Sequence, residues 1–166
     1  HWMDATGSSV SCSVIGNTVE RGFGHTAYSD HFGNSCDYQV VLPSGEILET
    51  GLKRYGNTKC ADVYKWGLGP VTDGLFTQSN FGIVTRMTIW LMPTPEYCQS
   101  FYLGLEHDGD LEGFIEAVQP LRLRGILDCA LHITNPYRML SAVQQYPWEA
   151  MQGETPMSAE VLAQMC

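Results

Sequence analysis

DYQVVLPSGEILETG, residues 37–51, is the stretch on which the fold of this chain turns. An apolar run, Val40 to Leu42, meets Pro43, Ser44 and Gly45 and resumes as Glu46 to Gly51. Proline presets φ and glycine supplies a positive φ, so two β-type runs around this tripeptide predict a hairpin. A hairpin is marginal by itself and needs a further strand or a packed face. Downstream, IVTRMTIWLM (83–92) alternates β-branched and apolar residues with polar ones as far as Pro93, which predicts that strand. Between them, ADVYKWG (61–67) reads as a short helix, and DGLFTQSN (73–80) as one or two helical turns with Asp73 as cap.

Upstream, residues 1–36 are rich in Gly, Ser, Thr, Asn and Asp with little periodicity, which predicts loop. The break at Met92–Glu96 is the best internal boundary and divides the chain into residues 1–93 and 94–166. Beyond it, CQSFYLGLE (98–106) reads as a strand and DGDLEGFIEAVQPLR (108–122) as a helix capped by Asp110, with Leu111, Phe114, Ile115 and Val118 on one face. GILDCALHIT (125–134) reads as another strand, PYRMLSAVQQYP as a helix opening at Pro136, and SAEVLAQM (158–165) as a short helix. The order of elements points to an α+β or α/β chain.

The composition, 44% hydrophobic and 16% charged over 166 residues, is that of a chain that folds around a core. A net charge of −9 repels phosphate backbones and anionic lipid, so nucleic acid and membrane are excluded as partners. No apolar run approaches the roughly 18–20 residues of a membrane span. Six cysteines at 12, 36, 60, 98, 129 and 166 form no CxxC pair. Their wide spacing favours free thiols, and with them a reducing, cytoplasmic location, over three disulfides. The chain begins HWMDATGSSV without an initiator Met or a signal peptide pattern.

RGFGHTAYSDHF (21–32) concentrates two glycines, two histidines, Ser29, Tyr28 and Asp30 in twelve positions. Its plain reading is a capping loop whose side chains satisfy backbone groups. His25, Asp30 and His31 could ligate a metal, although no fourth ligand stands nearby. Ser29, His25 and Asp30 have the composition of a hydrolytic triad, but no GxSxG elbow presents a nucleophile. GLGPVTDG (67–74) comes close to the dinucleotide fingerprint and fails it: the third glycine is late, no strand leads in, and Pro70 blocks close backbone approach.

Four ordered stretches, GNTVERGFGHTAYSDHF (16–32), VVLPSGEILETG (40–51), WGLGPVTDGLFTQSNFGIVTRMTIWLMP (66–93) and DGDLEGFIEAVQPLR (108–122), resemble the 4-phenol-oxidising branch of the FAD-linked oxidases. That group holds vanillyl-alcohol oxidase, eugenol oxidase and the p-cresol methylhydroxylase flavoprotein. The resemblance runs from about Trp2 to about Arg138. It implies an α+β fold: residues 1–93 as the second FAD-binding subdomain of the p-cresol methylhydroxylase type, and residues 94–166 as the start of the cap over the substrate. It also implies oxidation of para-substituted phenols, of the 4-alkylphenol or 4-hydroxybenzyl alcohol type, by hydride transfer to flavin N5.

On this resemblance YSDHF corresponds to the family's YGDH segment beside the reactive edge of the flavin, which makes Asp30 the catalytic carboxylate. Gly22 and Gly24 would let backbone approach the cofactor, with His25, Thr26, Tyr28 and Asp30 along the same wall. Gly82 and Ile83, in NFGIVT, would meet the adenine end through main-chain groups; the plain reading of Ile83 is a core residue. No metal is implied. The partners implied are a small phenolic substrate, further segments or a second chain completing the FAD site, and a second copy of the enzyme. The pyrophosphate loop, the phenolate-binding Tyr pair and Arg, and the covalent flavin attachment have no counterpart in these residues, so FAD binding by this chain alone should be weak or absent. A non-catalytic fragment or subunit that keeps the fold is the alternative. Where the family reads GMEVVL this chain has Asp37 and Gln39, so ribose contacts are not carried over, and His25, Thr26 and Ala27 replace Tyr-Thr-Pro.

Overall fold

The computed structural model describes residues 1–4, 9–56 and 58–165. The hairpin is its centre. Strand β1 (Ser35–Val41) pairs antiparallel with β2 (Ile47–Glu49), Val41 opposite Ile47 and Gln39 opposite Glu49. At the turn the Leu42 amide donates to Glu46 O at 2.9 Å and the Gly45 amide to Leu42 O at 2.8 Å. Gly45 sits at φ +85° with open space around its missing Cβ, so backbone conformation alone demands glycine there.

Strand β3 (Ile83–Ile89) pairs antiparallel with the other side of β1, giving the order β2-β1-β3. As the central strand, β1 supplies most of the core: Tyr38 and Val40 are fully buried with Phe76, and Val19, Phe32, Leu42, Leu48, Val84 and Met87 pack around them. Full burial of side chains of this kind contributes roughly 1.5–3 kcal/mol each. The β1–β3 register shifts between Cys36 and Val40, where Asp37 takes φ +51° in a β-bulge. A row of side chains crosses the sheet: Gln39 Nε2 donates to Glu49 Oε1 at 2.7 Å, and Arg86 Nη2 to the same oxygen at 2.9 Å.

Several expectations are corrected. Residues 1–36 are not all loop, since α1 (Val14–Val19) forms with Ser13 as N-cap, its Oγ accepting from the Gly16 amide at 3.0 Å. Glycine and asparagine inside a six-residue helix hide its period, and burial of Thr18 stabilises it instead. Residues 61–63 make a turn and 64–67 are irregular, so the expected helix does not form. Asp73–Phe76 is a 3-10 helix that Asp73 does not cap, because its side chain is buried beside Thr50. The segments 98–106 and 125–134 join no sheet among the described residues, and Tyr97, Phe101, Tyr102 and Ile126 are exposed. Strand-forming residues make a strand only where a partner backbone lies alongside.

The helix α2 (Leu111–Leu123) forms as expected behind a 3-10 turn at Asp108–Asp110, with Leu111, Phe114 and Val118 half-buried on one side. Asp110 stands at its N-cap without a side-chain capping bond. Contacts divide the chain into His1–Ala130 and Leu131–Cys166. The first unit holds the sheet, and beyond the end of β3 an isolated bridge joins Trp2 to Met92. The second holds α3 (Pro136–Val143) and α4 (Ala159–Met165). Asn135 Oδ1 caps α3 by accepting from the Arg138 amide at 2.9 Å. A cavity of about 750 Å³ in this unit is lined by Tyr137, Leu140, Trp148, Met157, Leu162 and Met165 among others. Cys36, Cys60, Cys98 and Cys129 are free thiols. Among the described residues no helix is long and apolar enough to cross a membrane.

Candidate functional site

The RGFGHTAYSDHF segment leaves α1 and closes on itself before entering β1. Phe23 and Asp30 form an antiparallel bridge, the Gly24 amide donates to Ser29 O at 3.0 Å, and the Ser29 amide to Thr26 O at 3.1 Å. The loop is fastened from inside. Asp4 Oδ2 accepts from the Thr26 amide (3.2 Å) and the Thr26 hydroxyl (2.7 Å), and Thr26 Oγ1 accepts in turn from the Tyr28 amide (3.1 Å). His31 is buried, its Nδ1 2.5 Å from Asn17 Oδ1 and its Nε2 3.9 Å from Asp4 Oδ1. Tyr28 and His31 line a hollow of about 20 Å³ with Asp4, Thr18 and Trp90.

The glycines answer to these neighbours. A Cβ on Gly22 would meet the Asn17 amide group, one on Gly24 the Asp4 carboxylate, and one on Gly82 both Val40 Cγ1 and Val41 O. The close approach that they permit in this structure is therefore made by the chain's own side chains and backbone.

Asp30 points elsewhere. Its side chain is exposed, with Oδ1 accepting from the Gly33 amide at 2.7 Å, while its carbonyl accepts from the Asn34 amide (2.9 Å) and Asn34 Nδ2 (3.0 Å). The carboxylate is thus held by a backbone turn rather than by a cation. His25 is exposed, 6.3 Å from the Phe23 ring in an edge-on arrangement. His25, Asp30 and His31 consequently face three different environments, and among the described residues no cluster of three or more His, Cys, Asp or Glu side chains is arranged to hold a metal.

Gly82 and Ile83 open β3 at the opposite end of β1. Ile83 pairs with Val41, whereas the Asp30 turn feeds Ser35; seven residues of strand separate the two places by about 20 Å. Ile83 is 71% exposed, which overturns its reading as a core residue. Among the described residues β3 pairs with β1 alone, so it is an edge strand of the sheet.

Composition did not reveal Lys65, which is buried beneath the Asp30 turn. Its Nζ donates to Phe32 O at 2.7 Å and Gly33 O at 2.9 Å, and lies 4.6 Å from the Phe32 ring centroid. Arg21 stacks on the same ring at 3.7 Å. Burial pushes the Lys65 ammonium below the usual lysine range, with Asp30 the largest of the opposing influences. The only hint in sequence is a lysine set between aromatic residues in VYKWG.

No family model matches the chain. It is 40% identical over 163 residues to the 1'-carboxy-chondrochloren decarboxylase of Chondromyces crocatus, covering 98% of this chain and 30% of that protein. It is also 40% identical over 109 residues to the flavoprotein subunit of the 4-cresol dehydrogenase [hydroxylating] of Pseudomonas putida, covering 66% of this chain and 21% of that protein. Among solved structures, p-cresol methylhydroxylase with substrate bound superimposes with a TM-score of 0.75 at 31% identity, covering 98% of this chain and 32% of that one. The 4-ethylphenol oxidase of Gulosibacter chungangensis, in its isoeugenol complex, matches with a TM-score of 0.58 at 42% identity, covering 66% of this chain and 21% of that one. The chain spans less than a third of the length of these curated relatives. By sequence and by its α+β fold, the chain is similar to part of the length of flavoproteins of the p-cresol methylhydroxylase type.

Proposed function

We propose that this chain is part of an FAD-dependent oxidoreductase acting on para-substituted phenols, with residues 1–93 as the second FAD-binding subdomain and residues 94–166 as the start of the substrate cap. The observation that carries the reading is a water-facing carboxylate, Asp30, locked by the Gly33 amide in a chain whose relatives are named for oxidising 4-cresol and 4-ethylphenol. The residues fit FAD as one wall of a site. An exposed acid at one end of β1 and the start of the edge strand β3 at the other are separated on the scale of an extended dinucleotide. Gly82 and Ile83 would hold the adenine end through main-chain groups, and the exposed His25 and Asp30 would face the ring, on a loop that Gly22, Gly24, Thr26 and Tyr28 seat against Asn17 and Asp4. Bound FAD would supply the two-electron acceptor for oxidation at the benzylic carbon.

Asp30 manages the proton. Oδ1 is engaged by the Gly33 amide, which leaves Oδ2 to take a proton from a water or hydroxyl at the benzylic carbon. The hollows beside Tyr28 and beside Lys65 hold only about 20 and 10 Å³, too little to enclose a flavin. Further segments or a second chain therefore complete the FAD site, and this chain alone binds FAD weakly or not at all.

A second reading draws on the match that runs along 98% of the chain, to a protein named as a decarboxylase. A para side chain bearing a carboxylate would, on the same two-electron oxidation, break its C–C bond and release carbon dioxide instead of taking up water. The test is anaerobic addition of 4-alkylphenols, 4-hydroxybenzyl alcohols and carboxylated analogues to the FAD-loaded assembly. Bleaching of the visible flavin absorbance by the first two supports phenol oxidation, and carbon dioxide release from the third selects decarboxylation. A bound flavin that no phenol reduces would leave a non-catalytic member of the family.

A further inference from the structure

We infer that Lys65 is a positioning residue for Asp30, acting through the Phe32–Gly33 peptide, whose C=O accepts from Lys65 and whose N–H donates to Asp30; the inference rests on the catalytic reading of Asp30 given above. Gly33 is gripped at each end. Its N–H donates to Asp30 Oδ1 at 2.7 Å, and its C=O accepts from Lys65 Nζ at 2.9 Å. The Phe32 carbonyl takes a second Lys65 bond at 2.7 Å, so one ammonium fixes two successive peptides of the Asp30–Asn34 turn. An ammonium aimed at two carbonyls polarises their peptides and strengthens the N–H donors along the chain of bonds.

Burial of this lysine is costly unless its donors are used, and only 9% of the residue is exposed. A leucine or methionine would fill the same space without that cost, so packing alone gives no reason for an ammonium here. What the charge adds is a fixed orientation of the Phe32–Gly33 peptide and a positive field beneath an exposed carboxylate. The turn has no slack to replace that grip: a Cβ on Gly33 would itself collide with the Asp30 carboxylate. Asp73, Cys36 and Arg21 are the other titratable or charged groups that act on Lys65.

Because burial lowers the Lys65 pKa, this lysine loses its proton before the exposed ones as the solution is made alkaline. The primary test is an NMR titration of the full chain without cofactor. The Gly33 amide and Asp30 Cγ signals are expected to move with the midpoint of Lys65 Cε, while the Gly45 amide in the remote hairpin turn does not. In Lys65→Arg, whose side chain stays charged, that alkaline movement should vanish. In Lys65→Met, exchange of the Gly33 amide should quicken by about tenfold or more relative to Gly45. If Asp30 and Gly33 pass the Lys65 midpoint unmoved, the inference is overturned, and this measurement needs no variant to fold.

Activity separates the two readings. In the FAD-loaded assembly Lys65→Met should lower kcat with KM held, and Lys65→Arg should recover part of the loss. An unchanged kcat in Lys65→Met, where Asp30→Asn is inactive, overturns the positioning role. An unchanged kcat in Asp30→Asn overturns the catalytic reading instead, whatever the titration shows.

Discussion

The Asp4 carboxylate occupies the volume in which a Cβ on Gly24 would have to sit, while it accepts two bonds from Thr26. A residue near the start of the chain is therefore the inner clamp of the loop that presents Asp30. Gly24 has no positive φ, so its need for glycine is a matter of space alone.

Gly24→Ala is expected to destabilise the fold by about 1–3 kcal/mol, the usual cost of overfilling a packed site. Asp4→Ala should also destabilise, because it leaves the Thr26 amide and hydroxyl without their acceptor. In the double variant the alanine has room, so the two effects should fall short of additivity by about 1 kcal/mol. Urea unfolding of the four proteins measures this, and strict additivity would show that the contact is not formed.

Asp73 makes stability depend on pH in an unusual direction. Burial raises its pKa, with the Thr50 hydrogen bond and the Lys65 charge pulling the other way. A carboxyl whose folded pKa lies above its unfolded one favours the folded state most below about pH 4, and that contribution is lost as pH rises through the folded value. Asp73→Asn keeps a side-chain acceptor for Thr50 and removes the charge, so it should stabilise the protein at pH 7. The gain should shrink toward zero near pH 4. A variant less stable than the parent at pH 7 would mean that attraction to Lys65 outweighs burial.

Cys36 is fully buried, and burial, followed by the neighbouring Asp37, pushes its thiol up to about 12. Since the thiolate is the reactive form, Cys36 should resist alkylation at pH 8 in the folded chain while exposed Cys60 and Cys98 are labelled. Unfolding should expose it. Mass spectrometry of the labelled peptides reads the difference, and prompt native labelling of Cys36 would contradict the packing around β1.

Asp30→Asn should leave the melting temperature unchanged, because the side chain is exposed and an amide oxygen still accepts from Gly33. In the FAD-loaded assembly kcat should fall by about 10²–10⁴-fold, the scale of a lost proton-transfer group. Steady-state kinetics with a 4-alkylphenol provides the check; a parental kcat would remove Asp30 from the chemistry.

Much of the architecture was legible where local and tertiary demands agree. The Pro43–Gly45 turn, β3 and the start of α3 at Pro136 each rest on backbone preferences that operate within a few residues. The segments 98–106 and 125–134 read as strands, yet among the described residues no strand lies beside them, and α1 was hidden because burial of Thr18 rather than periodicity stabilises it.

The residues of the candidate site divide in the same way. By itself the sequence determined the hairpin and the polar loop at 21–32, since these follow from residue type and order along a short stretch of chain, whereas the candidacy of Asp30 came from the resemblance of YSDHF to a known segment. Only the tertiary structure decided what surrounds them: Asp4 beneath Gly24, Asn17 against His31, and Lys65 under the Phe32 and Gly33 carbonyls. Lys65 reaches its partners across more than thirty positions, and a hydrogen bond is set by distance and angle in space, to which order along the chain gives no guide.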